Sequence, residues 1–196
     1  MKHTIFIDLD GVVFDTIKTI TEMYNTEFSF YRGFKRVEPS EVNTWEFTEL
    51  TLASPEHIDS YFNNPLFFER VELIPSAKWI INKLYDVEGY RIIFCSAGSY
   101  PNLQLKRIWV KKYFPFAEFI PVEMPTFTDK SAVKMDNSIF LDDSSLNLET
   151  CSAEVPICFG KKYPWNENYG GIRCETWAEV YEFIKNEERK RHESKV

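Results

Sequence analysis

The order of strand-like and helix-like segments predicts an α/β protein. It reads as a Rossmann-like three-layer core around a parallel sheet, with a small, mainly helical cap inserted after the first strand. Three observations predict this. Residues 4–8 (TIFID), 90–95 (YRIIFC), 138–141 (SIFL) and 155–159 (VPICF) are short β-rich runs with almost no polar relief, the pattern of central strands covered on both faces. Helical patterns alternate with these runs. The stretch from about residue 16 to residue 72 breaks the rhythm and holds no convincing buried strand.

In chain order, the first strand is followed by a helix over about 16–28, an irregular aromatic segment over 28–47, and a short helix after Ser54-Pro55. Residues 76–86 place Trp79, Ile80 and Leu84 at helical spacing behind Pro75. Ser99 and Pro101 open another helix carrying Leu105, Ile108 and Trp109, and a weaker strand spans 117–122. Thr176 and Glu179 form a capping-box pattern ahead of Val180, Tyr181 and Ile184. The tail over 186–196 reads as a fraying, solvated helix end.

At 196 residues the chain suffices for one buried core and a modest insertion. Its apolar content of 44% and charged content of 27% suit an ordinary soluble globular protein. Aromatics reach 16%, which fits either a Phe-rich core or an aromatic pocket for a flat ligand. A formal charge of -7 disfavours gripping a nucleic-acid polymer and leaves room for a small phosphorylated substrate held by a few local cations. Cys95, Cys151, Cys158 and Cys174 show no metal-type spacing, so a reducing cytoplasm is expected. The first residues enter a strand directly, so no signal peptide is expected, and no apolar run approaches the roughly 20 residues of a membrane span.

Four features stand at or just beyond predicted strand ends, where open α/β sheets bind ligands. Asp8-Leu9-Asp10-Gly11 follows the first strand: acids at i and i+2 on a turn can aim one carboxylate and one carbonyl at a Mg2+ ion. The same four residues also describe a plain polar turn. Ser96 follows the second strand and can hold phosphate oxygens. Lys130 precedes a short helical pattern and would offset carboxylates crowded with a phosphate, with Lys134 as its rival. Asp142-Asp143 ends an apolar strand, and adjacent acids there repel unless a cation lies between them.

The order DxD, Ser, Lys, DD resembles the four motifs of the haloacid dehalogenase (HAD) phosphatase superfamily; receiver domains use similar residues in another order. More narrowly, LFFERVELIPSA, RIIFCSA, KRIWVKKYF and DKSAVKMDNSIFLDDS resemble the cytosolic and mitochondrial 5′(3′)-deoxyribonucleotidases. The resemblance implies a HAD-like core over 1–15 and 73–196 and a cap over 16–72. It implies Asp8 as nucleophile and Asp10 as general acid and base, with Mg2+ bound by Asp8, the Asp10 carbonyl and Asp143. Asp142 would be a supporting acid or an extra ligand, and Ser96 and Lys130 would bind the phosphoryl group. In the cap, Trp45, Tyr61 and Phe67 would stack on a base or pack cap onto core. Two departures bear on the substrate: Thr16 stands where the animal pyrimidine nucleotidases have an aromatic residue, and Ser96-Ala97 where they have Thr-Ser. The implied activity is a phosphomonoesterase for (deoxy)ribonucleoside monophosphates, with a sugar phosphate as the alternative substrate. A catalytically silent metal-binding module is the further alternative, against which the retained acids speak. Oligomeric state is left open.

Overall fold

The computed structural model describes residues 4–44, 47 and 50–193. Six strands form one sheet: β1 (Thr4–Ile7), β2 (Arg91–Gly98), β3 (Glu118–Glu123), β4 (Ser138–Asp142), β5 (Val155–Phe159) and β6 (Ile172–Cys174). Their order is β3-β2-β1-β4-β5-β6, with every neighbouring pair parallel. The chain therefore leaves β1 toward β2 and β3 and later restarts on its other side at β4. That reversal opens a crevice beyond the carboxyl ends of β1 and β4.

Alternation along β1 feeds two cores. Ile5 and Ile7 pack into one cluster with Ile80, Ile81 and Leu84 of α4 (Ala77–Asp86), Trp109 and Val110 of α5 (Tyr100–Tyr113), and Val180 and Ile184 of α7 (Trp177–Glu193). Phe6 faces the other side, with Ile93, Phe140, Met135 and Leu148 of α6 (Ser145–Thr150). Helices thus cover both faces, which is why β1 and β4 read as unbroken apolar runs.

The segment between the first strand and residue 72 holds α1 (Thr16–Phe28), a 3-10 turn (Pro39–Glu41), α2 (Pro55–Phe62) and α3 (Pro65–Arg70). The chain leaves and re-enters the core through paired backbone: Asp15 N–H donates to Glu72 C=O at 2.9 Å and Ile74 N–H to Val13 C=O at 2.9 Å. Phe14 sits in this neck against Phe67, Phe68 and Trp109, at ring separations of 6.4, 6.2 and 4.6 Å. Much of the aromatic excess is core packing of this kind.

Several local expectations change. β2 runs on to Gly98, so Ser96 lies inside the strand and not after it. The residues after Lys130 form a single turn, closed by Val133 N–H to Lys130 C=O at 3.1 Å, and no helix. Trp79 and Ile108 point outward, 64% and 65% exposed, because the buried stripes run through Ile80, Ile81 and Leu84 and through Leu103, Lys106, Trp109 and Val110. β6 and α3 were not anticipated; each is too short to show a period. At the start of α7, Thr176 Oγ1 accepts from Glu179 N–H at 3.2 Å, while the Glu179 carboxylate accepts from Glu175 N–H at 2.6 Å, one residue earlier than in a capping box.

Trp177 joins the two ends of the chain. It is fully buried, packs at a tilt against Phe159, and donates its indole N–H to Val12 C=O at 2.9 Å in the turn after β1. Replacing it by Ala removes a large core side chain and leaves that carbonyl unpaired. Trp177→Ala should lower unfolding free energy by about 3–5 kcal/mol in urea titrations; a loss under about 1 kcal/mol would deny it this anchoring role.

Candidate active site

The β1 ladder continues one residue beyond the strand, with Asp8 N–H donating to Leu141 C=O at 2.9 Å. Asp8 therefore lies beside Asp142, the last residue of β4, and Asp143 follows at once. One carboxylate oxygen from each of Asp8, Asp142 and Asp143 lies within 4.8 Å of the other two, and all three residues are buried. Lys130 is buried between them, its Nζ 2.7 Å from Asp8 Oδ1 and 2.6 Å from Asp142 Oδ2. Lys134, its rival in the sequence, is exposed.

The three acids differ in how they are satisfied. Asp142 accepts from Lys130, from Ser144 N–H at 2.8 Å, and from Asn147 Nδ2 at 3.2 and 3.1 Å, so both oxygens are engaged. Asp143 Oδ2 accepts from the indole N–H of Trp165 at 3.1 Å. Asp8 Oδ1 is buried and, apart from the ion-pair contact with Lys130, receives no directed hydrogen bond. Burial pushes the Asp8 carboxyl up to about 6, with Lys130 opposing and the Asp142 and Asp10 charges adding to the rise. Asp143 is also raised well above the carboxylate range, by burial first and then by Asp142 and Asp8, against the pull of Trp165 and Lys130. For Lys130 burial works downward, but Asp142 and Asp8 outweigh it and hold the ammonium charged.

Asp10 stands on the turn after β1, its two oxygens separately held. Thr16 Oγ1 donates to Oδ1 at 2.9 Å and Lys106 Nζ to Oδ2 at 2.5 Å. Lys106 also donates to Ser96 Oγ at 2.9 Å and to Ala97 C=O at 2.8 Å, which uses all three of its protons. Ser96 is itself buried and does not line the adjoining cavity; its neighbour Ala97 does, a correction to the expected place of Ser96 against the phosphate. Sequence reasoning missed Lys106. The signal was present: a lysine on the buried stripe of an amphipathic helix, between Leu103 and Trp109, requires an acid partner. Thr16 lies beside Asp10 and does not line the cavity, a correction to its expected place against the substrate.

Asp8, Asp10, Lys106, Lys130 and Asp143 line a cavity of about 680 Å³, within the usual range for ligand pockets. One wall is α2, which contributes Pro55, Ile58 and Phe62 together with Glu56 and Asp59; Met124 also lines the cavity. The α2 wall is fastened to the start of α5 by Ser99 Oγ donating to Asn63 Oδ1 at 2.6 Å and Asn102 Nδ2 donating to Phe62 C=O at 2.6 Å. Of the cap aromatics singled out in the sequence, Tyr61 and Phe67 turn away from the cavity. Tyr61 is buried and donates to Glu27 at 2.7 Å, and Phe67 packs among Phe14, Phe62 and Phe68. Trp45 lies outside the described residues. Phe62, next to Tyr61 on α2, faces the cavity in their stead.

With that geometry in hand, likeness to known proteins is informative. The family model for "5′ nucleotidase, deoxy (Pyrimidine), cytosolic type C protein" matches residues 2–190. A Staphylococcus aureus (strain Mu50) protein, whose name of 5′(3′)-deoxyribonucleotidase is itself provisional, is 24% identical over 186 residues, spanning 93% of this chain and 96% of its own. Among solved structures, a haloacid dehalogenase-like hydrolase from Streptococcus pneumoniae superposes with a TM-score of 0.64 at 15% identity, over 93% of this chain and 98% of that one. A HAD-superfamily hydrolase from Geobacter sulfurreducens gives 0.60 at 15% identity, over 93% and 96%. Those two structures speak for the fold. The match of the family model along nearly the whole sequence shows that this chain belongs to the cytosolic type C 5′-nucleotidase family, and so is a phosphoric monoester hydrolase.

Proposed function

We propose that the chain hydrolyses (deoxy)ribonucleoside monophosphates through a phosphoryl group carried on Asp8. The observation that carries this reading is the buried carboxylate of Asp8, ion-paired to Lys130 yet lacking a directed hydrogen bond, at the head of a cavity large enough for a nucleotide. In the first displacement an Asp8 oxygen forms a bond to phosphorus as the bond to the leaving oxygen breaks, and Asp10 gives that oxygen its proton. In the second, Asp10 takes a proton from water, the water oxygen bonds to phosphorus, and the Asp8–phosphorus bond breaks to release phosphate. Lys130 holds the phosphoryl oxygens, Ser96 steadies Lys106 from behind the cavity wall, and Thr16 and Lys106 fix Asp10 toward the leaving group.

The donor set fits a Mg2+ ion: hard oxygens only, buried and mutually repelling, with Asp8 and Asp143 raised in pKa by burial first and by neighbouring acids second. Asp8 and Asp143, with the Asp10 carbonyl, are the proposed ligands, and the saturated Asp142 supports Lys130. When bound, the ion would neutralise charge on the transferring phosphoryl group. The proposed division of labour is a core over 1–15 and 73–196 with a cap over 16–72. The free thiols accord with a reducing cytoplasm: burial pushes Cys95 up to about 12 and Cys158 and Cys174 up to about 11. Among the described residues no helix is long and apolar enough to cross a membrane.

A sugar phosphate or other small phosphomonoester is the second reading, favoured by one observation: Tyr61 and Phe67 do not form a stacking slot. Phe62 and Met124 offer an apolar surface for a base, whereas Glu56 and Asp59 put negative charge on the rim and disfavour a second phosphate.

Two outcomes are expected. Purified protein with Mg2+ should hydrolyse dUMP, dTMP or dGMP in preference to sugar phosphates and to the matching nucleoside diphosphates. Asp8→Asn should retain less than about 10⁻³ of the activity. Hydrolysis of sugar phosphates alone would sink the nucleotide reading, and an active Asp8→Asn variant would sink the mechanism.

A third outcome concerns pH. Asp8 binds its proton more tightly folded, near 6, than at its ordinary 3.8, so the ionised carboxylate lowers stability as pH climbs through that window. In metal-free buffer the gain in thermal midpoint of Asp8→Asn over wild type should grow across the window and level off above it. Mg2+ should narrow the gap at neutral pH by binding the wild-type carboxylate. A gap independent of pH would contradict the assigned burial of Asp8.

A further inference from the structure

We infer that Trp165 is a positioning residue for Asp143, and that its indole N–H sets the protein's affinity for a divalent cation by holding one carboxylate oxygen so that the other is left for the ion. The inference rests on the metal role proposed for Asp143. The loop joining β5 to β6 passes the strand ends and places Trp165 Nε1 3.1 Å from Asp143 Oδ2. The same oxygen is bounded on another side by Gly11, whose φ is +70°: a Cβ at that position would lie only 2.6 Å from it. Oδ2 is therefore fixed by a donor and by a backbone wall. Among the described residues Oδ1 accepts no hydrogen bond.

The indole is itself held. Its ring stacks on Tyr163 with centroids 4.3 Å apart and planes 7° from parallel. Its backbone carbonyl accepts from Ser145 Oγ at 2.9 Å. The next residue, Asn166, is buried and donates Nδ2 to the Asp143 carbonyl at 2.9 Å, while Arg173 donates to the Asn166 carbonyl at 2.6 Å. The loop thus grips Asp143 by side chain and by backbone at once. A neutral donor in this place is chemically apt. It orients a buried carboxylate without adding a positive charge that would compete with the cation, as Lys130 does on Asp142.

Isothermal titration of metal-free protein with Mg2+ tests this. Trp165→Phe keeps an aromatic ring for the stack and removes the indole donor; its Kd should rise about 10–100-fold, while Asp143→Asn should lose binding. Tryptophan emission should respond to Mg2+ in wild type and in Trp79→Phe, whose indole is 64% exposed on α4, and not in Trp165→Phe. A Trp165→Phe Kd within about twofold of wild type, with Asp143→Asn unable to bind, would overturn the role of Trp165 alone. Mg2+ binding unimpaired in Asp143→Asn would remove the metal reading as well. Should Trp165→Phe fail to fold, the indole N–H resonance of Trp165 in wild type decides. It should shift with the calorimetric Kd on adding Mg2+, and an unmoved resonance would overturn the inference.

Discussion

Three carboxylates and one ammonium share a buried space at the carboxyl end of the sheet, and the rest of the molecule is arranged around that crowding. Lys130 lies 2.7 and 2.6 Å from Asp8 and Asp142, so the fold cannot release it without stranding buried negative charge. Removing one partner from such a set typically costs about 3–5 kcal/mol. Even with Lys130 in place the balance is incomplete, because two of the acids remain raised in pKa. The site is held in a state that a further positive charge would relax. This is the physical sense in which the proposed cation belongs to the architecture.

Topology makes the crowding unavoidable. β1 pairs with β2 on one side and β4 on the other, in parallel, so the carboxyl ends of all three strands emerge at the same edge. Asp8 and Asp10 come from β1, Ser96 from β2 and the Asp142-Asp143 pair from β4. α5 then returns Lys106 from ten residues beyond Ser96 to contact both Ser96 and Asp10. The site is thus tied by polar contacts between elements as well as by the apolar clusters beneath them.

The parts legible in the sequence were those with a local signature. Asp8, Asp142 and Asp143 stand out because each ends or follows an apolar run, where a charge is anomalous. Lys130 was legible only through its place in the order of motifs, since the expected helix beside it is a single turn. Lys106 and Trp165 were not read because their partners lie 96 and 22 residues away, and only the fold brings them together. The cap failed for a different reason. Adjacent residues on a helix point about 100° apart, so Tyr61 turns into the cap interior while Phe62 reaches the cavity, and composition cannot say which. The same applies to Thr16, read as a substrate contact and found donating to Asp10.

The two short bonds from Ser99 and Asn102 to the end of α2 have a mechanical consequence. They anchor the α2 wall to the segment that continues from Ser96 toward Lys106, so the lid and the floor of the chamber are not independent parts. Any outward displacement of α2 would have to break these two bonds or carry with it the start of α5 and the turn leading to Lys106.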